Sequence, residues 1–112
     1  METALMAEVG FYKGRHYTEY VADVQQLIRD NKLEDAEKLL VELVRVIEKQ
    51  AHEKSLGVAP WYYERLAVVY RKQKDTESEI RILERFADQK HASGVKPAKL
   101  LARLEKLRSR LS

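Results

Sequence analysis

The chain has 112 residues, a formal net charge of +3, four glycines, two prolines and no cysteine. That length fits one domain around one core, and the missing cysteine excludes disulfides and thiolate zinc sites. Although 45% of the residues are hydrophobic and 35% charged, no apolar run reaches the roughly eighteen residues that a membrane span needs.

The opening METALMAEVGF has no basic stretch ahead of its short apolar segment, so it does not read as a signal peptide. The expected location is cytoplasmic. Residues 1–16 are expected to form an N-terminal arm, followed by one helical domain over 17–112. Within that arm FYKGRHY, residues 11–17, is both aromatic and basic. It suits either a flap over the first helices or a contact arm for nucleic acid or a second subunit.

Tyr17, Val21, Val24 and Ile28 fall on one stripe of a helix over about 17–30, with Asn31 as a left-handed cap. Ala36, Leu39, Leu40, Leu43, Val44 and Ile47 stripe a second helix over about 33–54, broad enough to touch two neighbours. Gly57 stands where a C-terminal cap belongs. Pro60 is placed as the first residue of a third helix, about 60–73, where its missing N–H is harmless. In DTESE, residues 75–79, Thr76 and Glu79 have the spacing of a capping box. The fourth helix is expected over about 76–90, with Ile80, Leu83, Phe86 and Ala87 inward. HASGVKP is a loop, and Pro97 opens a fifth helix, about 97–111, striped by Leu100, Leu104, Leu107 and Leu111. No segment alternates with period two for long enough to be read as a strand.

Charge is unevenly placed. Residues 96–112 carry Lys96, Lys99, Arg103, Lys106, Arg108 and Arg110 against Glu105 alone, a balance of +5, which leaves −2 for residues 1–95. Such a tail suggests an anionic partner or a well-solvated end.

Laid on each other, YVADVQQLIRDNKLEDAEKLLVEL from Tyr20 and YERLAVVYRKQKDTESEIRILERF from Tyr63 match at an offset of 43 residues. Tyr63, Leu66, Ala67 and Tyr70 follow the aromatic, Leu, small residue, Tyr spacing of the tetratricopeptide repeat, and Ala36, Leu40 and Leu43 follow its second-helix spacing loosely. Residues 17–90 thus resemble that family, whose period is about 34 residues. Glu79 stands at a position where the family has a small residue, and Asp23 where it has Leu. GVAPWYYERLAVVYRKQKD and PAKLLARLEK also resemble a helical region of bacterial proteins that carry HIRAN domains, a β-rich nucleic-acid-associated module. The repeat resemblance implies an all-α fold: two stacked antiparallel helical hairpins closed by a C-terminal helix. It further implies a concave groove for an extended peptide. Carried onto this chain, that groove comprises Trp61, Glu64, Val68, Arg71 and Lys72, with Gln25 and Arg29 from the first hairpin.

PWYYERLAVVY, residues 60–70, sets Trp61, Tyr62 and Tyr63 side by side, so a helix must point them in three directions. On a helical wheel Tyr63, Leu66, Ala67 and Tyr70 form the packing face, while Trp61 shares a face with Glu64, Arg65 and Val68. Trp61 is therefore either a groove residue or a cap between hairpins with Arg65 stacked on it. Lys99, Arg103, Lys106 and Arg110 form a second stripe on the last helix. They are either a solvated outer face or a phosphate-contacting surface of salt-sensitive, sequence-blind affinity. His16, His52 and His91 are scattered without metal-ligand spacing, and no phosphate loop, dinucleotide glycine pattern or nucleophile elbow occurs. The expectation is a non-catalytic protein–protein interaction or scaffold module with no cofactor and no metal. The alternative is an accessory module in nucleic-acid processing that contacts phosphates through the basic helix. Two hairpins fall short of the three units that usually bury a continuous repeat core, so a homodimer or a partner-dependent monomer is expected.

Overall fold

In the computed structural model of the chain, residues 9–111 are described. They form a mostly helical, all-α domain with one small two-stranded sheet. Strands β1 (Phe11–Tyr12) and β2 (Arg15–His16) are antiparallel, with Phe11 opposite His16 and Tyr12 opposite Arg15. Lys13 and Gly14 make the two-residue connection, both at positive φ (50° and 84°). That is the backbone a tight hairpin of right-twisted strands demands, and Gly14 meets it without strain.

A 3-10 turn over Tyr17–Tyr20 leads into α1 (Val21–Arg29). There follow α2 (Leu33–Lys54), α3 (Pro60–Lys72), α4 (Thr76–Ala87) and α5 (Val95–Leu111). Consecutive helices pack on one another in chain order, α5 also touches α3, and β1 packs on α2. Along α2 and α3 the contacts run in opposite directions. Glu48 accepts from Tyr63 at 2.8 Å, while Glu37 meets Gln73 at 3.5 Å. Tyr63 against Phe86 and Arg71 against Glu79 show the same opposition for α3 and α4. The buried core runs through all five helices, from Tyr20 and Val24 through Leu40, Leu43, Tyr63, Leu66, Leu83 and Phe86 to Leu100, Leu104 and Leu107. Among the described residues no helix is long and apolar enough to cross a membrane.

Several local expectations are corrected. Residues 9–16 of the expected arm carry the hairpin, which is tied down by bonds from the Tyr20 hydroxyl to the Tyr12 carbonyl at 2.5 Å and from the Tyr17 amide to the Gly10 carbonyl at 2.9 Å. Residues 1–8 of the expected arm lie outside the described residues. The α2 cap is Ser55, held at φ 56°, not Gly57. Gly57 is needed for a different reason: a Cβ there would lie 3.0 Å from the His91 Cα, and the next amide, Val58, donates to the Lys90 carbonyl at 2.8 Å. The α2–α3 and α4–α5 connections are thereby stitched together backbone to backbone. The capping box does not form. Asp75 is the N-cap of α4, accepting from the Ser78 amide at 3.1 Å, and Glu79 turns inward. Asp75 with Ser78 is an equivalent sequence signal, and it wins because Glu79 has stronger partners. The leucine seat of α5 is also shorter than expected, since Leu111 is 65% exposed.

Candidate functional site

The three adjacent aromatics on α3 do point three ways. Tyr63 enters the core fully and donates to Glu48 at 2.8 Å, with its ring 5.3 Å from Phe86. Burial, then the bonded Glu48 carboxylate, push its hydroxyl pKa well up. Glu48 is shared with Arg85, whose Nε and Nη2 donate at 2.8 and 2.9 Å, so one carboxylate joins α2, α3 and α4. Tyr62 points to the 3-10 turn. It meets Tyr17 edge-on at 5.4 Å and donates to the Tyr17 carbonyl at 3.3 Å, and burial raises its hydroxyl to about 12. Trp61 lies edge-on to Tyr62 at 4.9 Å and is only partly buried. Tyr70, expected on the packing face with Tyr63, packs against the core but is only partly buried. Burial and, secondarily, Glu37 raise its hydroxyl to about 12. Arg65 approaches Glu64 at 3.9 Å, and its buried Nε has no hydrogen-bond partner.

Trp61, Glu64, Val68 and Arg71 share one face of α3 at three- and four-residue spacing, and that face is bordered by α5. Lys96 reaches Glu64 at 2.6 Å. Arg71 donates to Glu79 through Nε at 3.1 Å and Nη2 at 2.9 Å, while Arg103 donates to the same carboxylate through Nε at 2.9 Å and Nη2 at 3.3 Å. Glu79 is only 1% exposed. Burial pushes its carboxyl up, but the bonds from Arg103 and Arg71 and their charges outweigh that, and the group ends below its ordinary value. The residue that breaks the repeat pattern is thus the anchor joining α3, α4 and α5.

The same contacts reassign the basic tail. Lys96 pairs with Glu64, Arg103 with Glu79, and Arg108 with Glu84 at 3.1 Å. Half of the six tail cations are therefore used to hold α5 against α3 and α4, whose acids supply the opposing charge. Of the phosphate-contacting candidates, Arg103 is committed to Glu79, whereas Lys99, Lys106 and Arg110 are exposed. Of the groove candidates, Lys72 is exposed and Val68 partly so. Gln25 and Arg29 are exposed on α1; Arg29 is bonded to Gln26 at 2.8 Å, and neither hydrogen-bonds to the α3 face among the described residues.

At the other end of the stack, an open hollow of about 960 Å³ lies between Tyr12, Tyr20 and Asp23 on one side and the first half of α2 on the other. Its rim is mainly acidic, through Asp23, Glu34, Asp35, Glu37 and Glu42. Asp23 is paired with Arg15 at 3.1 Å, and Glu34 and Asp35 sit in the first turn of α2, where acids stabilise a helix start. Among the described residues no group of three or more His, Asp or Glu is placed to hold a metal ion. Sequence reasoning missed Glu79 as the organiser of the α3–α5 contact, and its one visible sign was a charge where the repeat pattern has a small residue. Compared with protein-family models, curated proteins and solved structures, the chain matches none of them.

Proposed function

We propose that this chain is a non-catalytic protein–protein interaction module, a tetratricopeptide-like stack that offers the face shared by α3 and α5 to a segment of a protein partner. The observation that carries this reading is the joining of two separate sequence features into one surface. The Trp61–Glu64–Val68–Arg71 stripe of α3 is bordered by Lys96 and Arg103 of α5. Partly open apolar side chains, Trp61 and Val68, lie there beside exposed cations, Lys72 and Lys99. An apolar anchor with a charged rim is what a partner segment needs for both affinity and orientation. Glu64, Arg71, Lys96 and Arg103 of this face are engaged in ion pairs, which favours recognition over chemistry.

Affinity capture from the source cell's extract tests the reading, with the wild type, Trp61→Ala and Lys72→Glu compared with and without nuclease. A partner retained by the wild type after nuclease, and lost with both substitutions, is the expected result. Capture that is indifferent to both substitutions would refute the α3–α5 face. The exposed stripe of Lys99, Lys106 and Arg110 favours the second reading, an accessory contact to nucleic-acid phosphates. That reading predicts capture that nuclease abolishes and that falls steeply with salt.

A further inference from the structure

Glu79 accepts four hydrogen bonds from two arginines on different helices. Three of them converge on the single oxygen Oε2 at 2.9–3.1 Å, so the two guanidinium groups lie within about two hydrogen-bond lengths of each other. One carboxylate cannot neutralise two cations, and the cluster keeps a net positive charge. Each guanidinium carries five N–H donors, and in each only Nε and Nη2 donate to Glu79. Nη1 of Arg71 and Nη1 of Arg103 have no hydrogen-bond partner among the described residues. The acceptor is buried, but the donors are not: the Arg71 side chain is 47% exposed and that of Arg103 24%.

We propose that Arg71 and Arg103 form an anion site, held in position from below by Glu79, that takes a carboxylate side chain from an acidic segment of a protein partner. This deepens the interaction reading above and rests on it for the nature of the partner, while the anion site itself stands on the arginine pair. The chemistry follows from the cluster. Two guanidinium groups held close repel each other, and one buried carboxylate relieves that only in part. A second carboxylate, arriving from solvent at the free donors, makes the cluster neutral and accepts charge-assisted bonds from forks that are already oriented. Little side-chain entropy is lost on binding, because Glu79 and the packed helices fix both arginines beforehand. Lys72 beside Arg71, and Lys99 and Lys106 one turn either side of Arg103, are exposed and raise the local positive potential. A single paired fork, with Glu64 and Glu79 interleaved among the cations, suits side chains of a peptide better than an evenly spaced phosphate ladder.

The test is a titration of the wild-type protein at constant ionic strength, followed through the arginine Nε–Hε NMR signals. A hexaglutamate peptide, inorganic phosphate and a single-stranded DNA 12-mer are added separately. Arg85 is the internal control, since its Nε and Nη2 also donate to a carboxylate, Glu48, without a second arginine. The expected result is that hexaglutamate moves the Arg71 and Arg103 signals together along one saturable curve, leaving Arg85 in place, and that phosphate competes only weakly. Arg71→Gln should weaken the peptide roughly tenfold, about the loss of one charge-assisted bond, with the circular dichroism spectrum unchanged. If that variant does not fold, the wild-type titration still decides. If Arg71 and Arg103 move no more than Arg85 with any probe, there is no anion site. If the DNA 12-mer or free phosphate binds as tightly as the peptide, the carboxylate assignment is overturned. Neither result depends on whether Trp61 and Lys72 capture a partner, so the two proposals fail separately.

Discussion

Replacing Glu79 with Gln distinguishes two roles that the sequence leaves equal. In a capping box Gln serves nearly as well as Glu, and the substitution would cost a few tenths of a kcal/mol. In the cluster seen here Gln loses the charge on which Arg71 and Arg103 converge, and its own amide N–H groups face their donors. Hydrogen bonds to a charged group contribute about 1.5–3 kcal/mol net. Four of them do not add, because both arginines are partly exposed and regain water when released. The expected loss is therefore about 2–4 kcal/mol, a large share of the roughly 5–15 kcal/mol that holds a domain of this kind. In urea, with a slope of about 1–3 kcal/mol per molar, the midpoint should fall by about 1–2 M at pH 7. The pH dependence gives a second check. The folded-state pKa of Glu79 is depressed below the ordinary 4.5. Its contribution is fully present above that ordinary value and is lost as pH falls through the folded pKa. The gap between wild type and variant should be constant from pH 7 to about 5 and close below 4.5. A gap under about 0.5 kcal/mol at pH 7 would show that the cluster is solvated, and one that persists unchanged at pH 3 would show that the Glu79 charge is not its source; either result refutes the argument.

The aromatic row should split by depth. Tyr63→Ala should cost about 3–5 kcal/mol, as for a large aromatic cavity, and both Tyr70→Ala and Trp61→Ala clearly less, because those side chains are only partly buried; urea denaturation that reverses this order contradicts the packing. Gly57→Ala should destabilise by about 1–3 kcal/mol through its contact with the His91 backbone, whereas Ser55→Gly should stabilise slightly by relieving a left-handed serine; thermal melts moving the other way would sink both assignments. Analytical ultracentrifugation over a range of concentrations should find a dimer or a partner-dependent monomer, and a strict monomer that is stable alone at high concentration would remove the case for an uncovered end of the stack.

How much of this was legible depends on the range of the signal. Helix α2, expected over about 33–54 and found at Leu33–Lys54, was readable because an apolar stripe about three turns long and a left-handed Asn31, at φ 59°, are local signs. The start of α3 at Pro60 was readable for the same reason. The hairpin was not, since strands of two residues are too short to show alternation; its available sign was a Lys-Gly pair between aromatics. At the start of α4 two overlapping capping patterns compete within four residues, and the choice between them goes with the arginines that hold Glu79, Arg71 eight residues before it and Arg103 twenty-four after. The site shows the same limit. A helical wheel groups Trp61 with Glu64 and Val68, but nothing local reveals that Lys96 will reach Glu64 or that Arg71 and Arg103 will meet on one carboxylate. The uneven charge of the tail was visible, and its meaning needed the acids it faces.

The ion pairs along α5 also fix its register. Leu100, Leu104 and Leu107 seat this helix, and their apolar contact is non-directional. Sliding α5 by four residues would bring Leu104 to the place of Leu100 and Leu111 to that of Leu107, but it would set Arg108 in the buried place of Leu104, an unfavourable burial of charge. The ion pairs add a second and sharper penalty. The same slide carries Lys96, Arg103 and Arg108 about 6 Å past Glu64, Glu79 and Glu84, far beyond hydrogen-bond reach. Those three acids stand on two different helices, so no single rotation of α5 recovers all of them. The clasp thus reinforces the alignment that the three leucines already favour, and fixing register is the best-attested use of buried and half-buried charge.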